Sequence, residues 1–329
     1  MRLNRRMHLT TDPRFAAVRL RDGGLVAVPT ETVYGLAARA DDPHAVARIY
    51  AAKGRPADHP LIVHVANALA LDEWAVQIPE YAHKLAAAFW PGPMTLVVKR
   101  SERAGDFITG GQDSVAVRVS SHVLMEETLR ALVTLTDDPA IGIAAPSANR
   151  FGKVSPTSAK HVLEEFAGII SDDDLILDGG ESAVGVESTI IDCTDEIPGL
   201  LRAGAITIDD IERVTGLTPG LTSTVRASGT LDSHYAPTAE VVITEASGLT
   251  ESHSTDEARV GLLALASVAT PTGMVRLSAP ASNDEYAHVL YSALREADAL
   301  QLTTVLAVLP DDTGLGAAVI DRLRRAAHR

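Results

Sequence analysis

Cysteine is all but missing: Cys193 is the single one among 329 residues, which excludes an internal disulfide framework and leaves no Cys-rich zinc cluster to draw. Positive charge is also short. Lys and Arg number 29 against 43 Asp and Glu, a net charge of −14, which argues against bulk attraction to nucleic acid or to an anionic membrane. An anionic ligand must therefore be met by a local basic site. No apolar run approaches the roughly 18 residues of a membrane span, and the run over 260–268 is broken by Ser267. Arg2, Arg5 and Arg6 near the start are not followed by the apolar core of a secretory signal, so the expectation is a cytoplasmic protein with no membrane contact.

Familiar catalytic signatures are absent too. There is no G-x-S-x-G nucleophile elbow and no Walker A sequence, which excludes a standard P-loop enzyme. His59, His64, His122, His161 and His234 form no H-E-x-x-H pair, so no zinc ligated by the protein is expected. What remains is an ordinary globular composition, 46% hydrophobic and 22% charged, in a length that suggests about two domains.

Short apolar runs alternate with helical patterns. Residues 25–28 read as a buried strand after the Gly23-Gly24 turn, stopped by Pro29. Asp42 and Pro43 are an N-cap and a first-turn proline, and Val46, Ile49 and Tyr50 continue at helical spacing, so a helix is predicted over 43–53. Strands are predicted over 61–65, 95–99, 114–119, 141–145, 175–177 and 188–192, with helices over 79–89 and 158–166. Residues 215–237 crowd Gly, Pro, Ser and Thr with little periodicity and read as a linker. Beyond it, strands over 241–244, 260–264, 274–277 and 304–309 alternate with helical faces marked by Val289, Leu290, Leu294 and Ala297 and by Val319, Ile320 and Leu323. The last 90 or so residues look like a small doubly wound domain.

Three segments could carry chemistry. Lys53-Gly54-Arg55-Pro56 offers two cations around a glycine, enough to hold a polyphosphate; equally, Lys53 suits a last helical turn and Gly54 a C-cap. Pro29-Thr30-Glu31-Thr32-Val33-Tyr34-Gly35 places hydroxyls and a carboxylate where a buried strand ends, a favoured ligand position in α/β sheets, although Thr30 or Thr32 could equally be an N-cap. Pro146-Ser147-Ala148-Asn149 again follows a strand, and Ser and Asn there could simply form a turn.

Taken in order, Pro29 to Gly35, Lys53 to Pro56, Pro60-Leu61-Ile62-Val63-His64, Trp90-Pro91-Gly92-Pro93-Met94-Thr95, Val115-Ala116-Val117-Arg118 and Pro146 to Asn149 resemble the YrdC-domain threonylcarbamoyl-AMP synthases. His234-Tyr235-Ala236-Pro237 and the closing residues resemble the long, two-domain form. The resemblance implies an α/β fold: a YrdC-like twisted mixed sheet with flanking helices over 1–215, a linker or lid over 216–238, and a smaller Rossmann-like parallel α/β domain over 239–329. It implies a nucleotidyltransferase that joins L-threonine, bicarbonate and ATP into L-threonylcarbamoyl-AMP and pyrophosphate. The expected cofactor is Mg2+ with ATP. The expected partners are a downstream threonylcarbamoyl-transferase and, at most weakly, tRNA.

Matched position by position, Thr32, His64, Arg118, Ala145 and Ser188 fall on the threonine pocket. Lys53, Arg55, His59, Ser114, Ser147, Asn149, Ser155, Arg202, His234 and Tyr235 fall on nucleotide positions, with Lys53 and Arg55 on the phosphates as the catalytic pair. His59 departs from the Asn usual before Pro-Leu-Ile, and the linker, reading Ala227-Ser228-Gly229-Thr230-Leu231-Asp232-Ser233, is less basic than the family's. Two other readings compete: an RNA-binding module using the same concave surface, weakened by the acidic balance, and a carbamoyl-transfer maturation enzyme, weakened by the lack of Cys-rich zinc motifs.

Overall fold

The computed structural model describes residues 8–171, 173–221, 224–229, 234–249 and 259–328. Among these, contacts divide the chain into two units: the first takes 8–151, 156–182 and 187–229, the second 152–155, 183–186 and 234–328.

The first unit is built on ten strands: β1 (His8–Thr10), β2 (Val26–Val28), β3 (Gly35–Arg39), β4 (Ile62–Val65), β5 (Met94–Lys99), β6 (Ser114–Arg118), β7 (Gly142–Ala144), β8 (Leu175–Leu177), β9 (Thr189–Asp192) and β10 (Gly199–Arg202). They form one mixed sheet in the order β1-β8-β2-β3-β7-β4-β6-β5-β9-β10. Because side chains alternate across a strand, each strand feeds two faces. Val63 and Val65, Val115 and Val117, and Leu96 and Val98 enter one core cluster with Ala45, Val46 and Ile49 of the helix Pro43–Lys53 and Leu85 of the helix Glu80–Phe89. The opposite face is covered near Val26, Val28, Ala37 and Ile143 by Ala16, Ala17 and Leu20 of the helix Pro13–Arg21 and Met125, Leu129 and Leu132 of the helix Val123–Thr136. His64 pairs with Ile143 in register, so it shares that face just beyond this cover. From β4 to β9 the face carries Ile62, Ala116, Val97 and Ile190 as an apolar floor.

Local chemistry sets the boundaries. The Asp42 side chain accepts from the His44 and Ala45 amides at 2.9 and 3.1 Å, Pro43 starts the helix, and Gly54 ends it at φ 62°, a left-handed conformation that favours glycine. The helix Ile208–Thr215 opens on a capping box of Thr207 and Asp210.

The second unit carries β11 (Glu240–Thr244), β12 (Val260–Leu263), β13 (Val275–Ser278) and β14 (Thr304–Val308), all parallel, in the order β11-β14-β12-β13. The helix Asn283–Ala299 buries Tyr286, Leu290, Tyr291 and Leu294, and the Tyr286 hydroxyl donates to the carbonyls of Leu263 and Val308, both at 3.0 Å. Arg295 ties in the crossing segment by donating to the carbonyls of Val154 and Ser155. The mixed sheet with flanking helices and the smaller parallel α/β unit agree with the expected architecture. The elements of the first unit that were not predicted include β1, β3 and the helices Pro13–Arg21, Leu71–Trp74, Asp106–Thr109, Val123–Thr136 and Ile208–Thr215, the last ending at the predicted start of the linker. No helix among the described residues is long and apolar enough to cross a membrane.

Candidate functional site

The stretch of the first unit's sheet beyond the helices Pro13–Arg21 and Val123–Thr136 gathers most of the predicted residues, and they are buried there. Parallel pairing places His64 beside Arg118, and antiparallel pairing of Leu96 with Val117 sets Thr95 opposite Arg118, so one row crosses three strands. Arg118 Nη1 donates to Thr32 Oγ1 at 2.9 Å and its Nε to the Gly92 carbonyl at 3.3 Å. Thr32 is fixed in turn by Thr30, whose Oγ1 lies 2.8 Å from its own and bonds the Val33 carbonyl at 2.6 Å. Ala145 stands beside the row, its amide donating to the Ile62 carbonyl at 3.0 Å.

Two buried groups flank Arg118. Glu31 lies 2.8 Å from Arg118 Nη2 and accepts from Ser120 Oγ through its other oxygen. Burial alone would raise its pKa, but the Arg118 charge and the Ser120 hydrogen bond override it, and the carboxyl falls to about 2. Burial, with the Arg118 charge adding to it, pushes His64 down to about 3, so the ring is neutral at physiological pH.

Ser188 and Arg202 adjoin the row. Ser188 Oγ is 2.7 Å from Thr95 Oγ1, and Arg202 donates to the Ser188 carbonyl at 3.0 Å and to its Oγ at 3.1 Å. Arg202 Nη1 also donates to the Ser228 carbonyl at 2.8 Å, while Arg55 Nη2 donates to Ser228 Oγ at 3.1 Å and to the Pro60 carbonyl at 2.8 Å. Ser228 thus joins two predicted nucleotide cations. Its neighbours Val225 and Ala227 pack on the apolar floor, and Gln112 exchanges two hydrogen bonds with the Arg226 backbone, at 2.7 and 3.1 Å. Beneath this segment, a crevice of about 10 Å³ touches Ser114, Ala116, Ala227 and Ser228, no more than one water needs.

Lys53 is fully enclosed. Its Nζ donates to the Ser147 carbonyl at 2.7 Å and to the Asn149 carbonyl, so the cation is spent on the loop that carries both residues. Burial, reinforced by the Arg55 charge, pushes the ammonium well below its ordinary pKa. His59 stands edge-on to Phe151 with ring centroids 5.2 Å apart, and burial, with Arg55 nearby, lowers its pKa. Ser114 sits at the far end of β6, on the same face as Arg118 and about 13 Å from it at the rise of an extended strand. Ser114 also lines a cavity of about 1000 Å³ with Lys99, Arg100 and Thr194, and no other predicted site residue lines it.

Ser155, His234 and Tyr235 belong to the second unit. There the Tyr235 ring lies 4.1 Å edge-on from His234, stacks on Tyr291 at 5.6 Å, and faces the Arg322 guanidinium at 5.4 Å. Of the predicted linker, Thr222, Ser223, Thr230, Leu231, Asp232 and Ser233 lie outside the described residues. Thr95 and Ser228 were not predicted as site residues, and Glu31 was named only within the segment Pro29 to Gly35, with no role of its own. Glu31 was within reach as the carboxylate of the polar turn after β2, and Thr95 as the end of the Trp-Pro-Gly-Pro-Met-Thr segment, whereas nothing in the linker marks Ser228.

Residues 18–204 match the Sua5, YciO and YrdC family model, described as telomere recombination, and residues 206–328 match the model for a threonylcarbamoyl-AMP synthase C-terminal domain. The threonylcarbamoyl-AMP synthase of Pyrococcus abyssi is 43% identical over 330 residues, covering 95% of this chain and 93% of the relative. That of Bacillus subtilis is 39% identical over 335 residues, covering 97% and 94%. A crystal structure of P. abyssi Sua5 complexed with L-threonine superposes with a TM-score of 0.86 at 42% identity, covering 98% of this chain and 97% of the other.

Proposed function

This chain belongs to the threonylcarbamoyl-AMP synthase family and is an enzyme that makes an AMP adduct, and on that premise we propose how its own residues join L-threonine, bicarbonate and ATP into L-threonylcarbamoyl-AMP. In the reaction, the threonine amine captures CO2 as a carbamate. A carbamate oxygen then attacks the α-phosphorus of ATP, forming a new P–O bond as the bond to the β-phosphate breaks and pyrophosphate departs. Anions must be brought together, so the protein's task is positioning and charge compensation, and no side-chain nucleophile is required.

The observation that carries this reading is one sheet face on which His64, Thr95 and Arg118 form a row beside Thr32, Ala145 and Ser188, with Arg202 and Arg55 meeting at Ser228 next to it. Arg118 would take the threonine carboxylate, with Thr32, His64, Ala145 and Ser188 shaping the pocket. His64, held neutral, would contribute hydrogen bonding rather than charge. Arg55 and Arg202 would exchange Ser228 for phosphate oxygens, with His59 and Ser114 alongside. Lys53 would act from its enclosed position, fixing the backbone at Ser147 and Asn149 against the nucleotide. For Ser155, His234 and Tyr235, in the second unit, the nucleotide role rests on the family resemblance.

Mg2+ is the expected companion of ATP and would neutralise part of the charge leaving with pyrophosphate. Among the described residues no group of three or more His, Cys, Asp or Glu side chains is arranged for a metal ion, so phosphate oxygens would hold it. The product would pass to a threonylcarbamoyl-transferase acting on tRNA, in the cytoplasm, with at most weak tRNA contact by this chain.

The test is mass detection of threonylcarbamoyl-AMP alongside pyrophosphate release. Both are expected only with threonine, bicarbonate, ATP and Mg2+ present together, and pyrophosphate release at the same rate without threonine would sink the reading. Arg55→Ala is expected to slow turnover roughly a hundredfold, as for a lost transition-state donor.

A further inference from the structure

Three buried polar atoms at the amino-acid end lack a hydrogen-bond partner: Glu31 Oε1, Arg118 Nη2 and His64 Nδ1. Leaving such atoms unpaired is costly, and native interiors seldom do so without a reason. Here Arg118 Nη2 and Glu31 Oε1 belong to side chains that their other contacts already fix. Arg118 is tied through Nη1 to Thr32 and through Nε to Gly92, and Glu31 is tied through Oε2 to Ser120. Nη2 and Oε1 lie 2.8 Å apart as an ion pair, and neither atom has a hydrogen-bond partner beyond that pair. One donor and one acceptor of opposite charge are therefore held side by side with valences to spare.

An α-amino acid carries its amino group and its carboxylate on one carbon, so it offers the complementary acceptor and donor at a matching separation. We infer that Glu31 determines specificity as the acidic half of a clamp, its Oε1 accepting from the amino nitrogen of the substrate while Arg118 Nη2 donates to the carboxylate. The inference rests on the threonine reading above. The electrostatics point the same way: Glu31 compensates Arg118 before any ligand arrives, and the neutral His64 adds no charge. A bare carboxylate thus enters a pocket with no net attraction for it, whereas a ligand bearing both groups satisfies both partners. The amino nitrogen keeps an N–H after it captures CO2, so the contact to Glu31 persists into the carbamate.

The experiment is calorimetric titration of the full chain and of Glu31→Gln with L-threonine, with 3-hydroxybutanoate, which is threonine without its amino group, and with threoninol, which lacks the carboxylate. Wild type is expected to hold threonine roughly 10- to 100-fold more tightly than either analogue, the range for one charged hydrogen bond. Glu31→Gln is expected to lose about that factor for threonine while holding 3-hydroxybutanoate as well as, or better than, wild type. Equal losses for both ligands would mean that Glu31 only orients Arg118 and would overturn the clamp, as would an unchanged threonine affinity. Should Glu31→Gln fail to fold, wild type alone decides, because 3-hydroxybutanoate bound as tightly as threonine contradicts the clamp. Wild type binding no threonine at all would overturn the substrate reading with it, an outcome distinct from threonine binding without discrimination.

Discussion

His64 and Glu31 both answer to the Arg118 charge, and both titrate below their ordinary range, His64 at about 3 against 6.5 and Glu31 at about 2 against 4.5. In each case the unfolded chain binds protons at a higher pH than the folded one. Stability therefore rises with pH through both windows, and it is lost as pH falls below 6.5 for His64 and below 4.5 for Glu31. The melting temperature is expected to drop between pH 7 and 4, and His64→Gln should flatten the upper part of that drop in a calorimetric pH series. An unchanged slope in the variant would remove His64 as the source. Lys53 shows how a sequence can name a residue and miss its orientation. Its place beside Gly54 and Arg55 was legible, but both alternatives left it at an accessible helix end, whereas its Nζ turns inward to two carbonyls nearly a hundred residues away. Spacing along the chain carries no information about such a partner.

The turn Thr109-Gly110-Gly111 bears on Arg55, the proposed phosphate ligand, through the backbone it packs against. Gly110 has φ 61°, and a Cβ there would come within 2.3 Å of the Asp58 carbonyl. The displaced stretch would be the one whose His59 and Pro60 carbonyls receive Arg55. Gly110→Ala is expected to cost about 1–3 kcal/mol in chemical denaturation and to raise the KM for ATP, with the KM for threonine little changed. The helix Pro43–Lys53 was readable to the residue because Asp42, Pro43 and Gly54 punctuate it. The same grammar stands in Asp12 and Pro13 ahead of the helix Pro13–Arg21, where alternating arginines hid Ala16, Ala17 and Leu20. The strand β3 was not legible: Gly35, Ala37 and Ala38 have weak strand preference, and burial on both faces removes the alternation that marks a half-exposed strand. The linker's composition signalled a break in periodicity, yet Val225 and Ala227 still find an apolar floor, a tertiary fact that composition does not encode.

The five residues assigned to threonine, Thr32, His64, Arg118, Ala145 and Ser188, all belong to the first unit, and each unit has its own apolar cluster. Hydrogen exchange followed by mass spectrometry should show added protection on threonine binding over β2 to β7 and at Ser188. Backbone amides of β11, β12 and β14 are expected to stay unchanged, and protection spread evenly over both units would contradict this assignment. The net charge of −14 also separates the molecule from proteins that hold RNA by bulk attraction, so selectivity has to arise inside the site. There β6 has a consequence of its own, since a single extended strand carries Arg118 at one end and Ser114 at the other. Peptide bonds cannot stretch, so on the proposed assignment the strand would serve as a gauge block, setting the reach from a carboxylate at Arg118 to a nucleotide at Ser114. A β-amino isomer of the substrate, seated by the same carboxylate, would present its nitrogen one carbon off the mark.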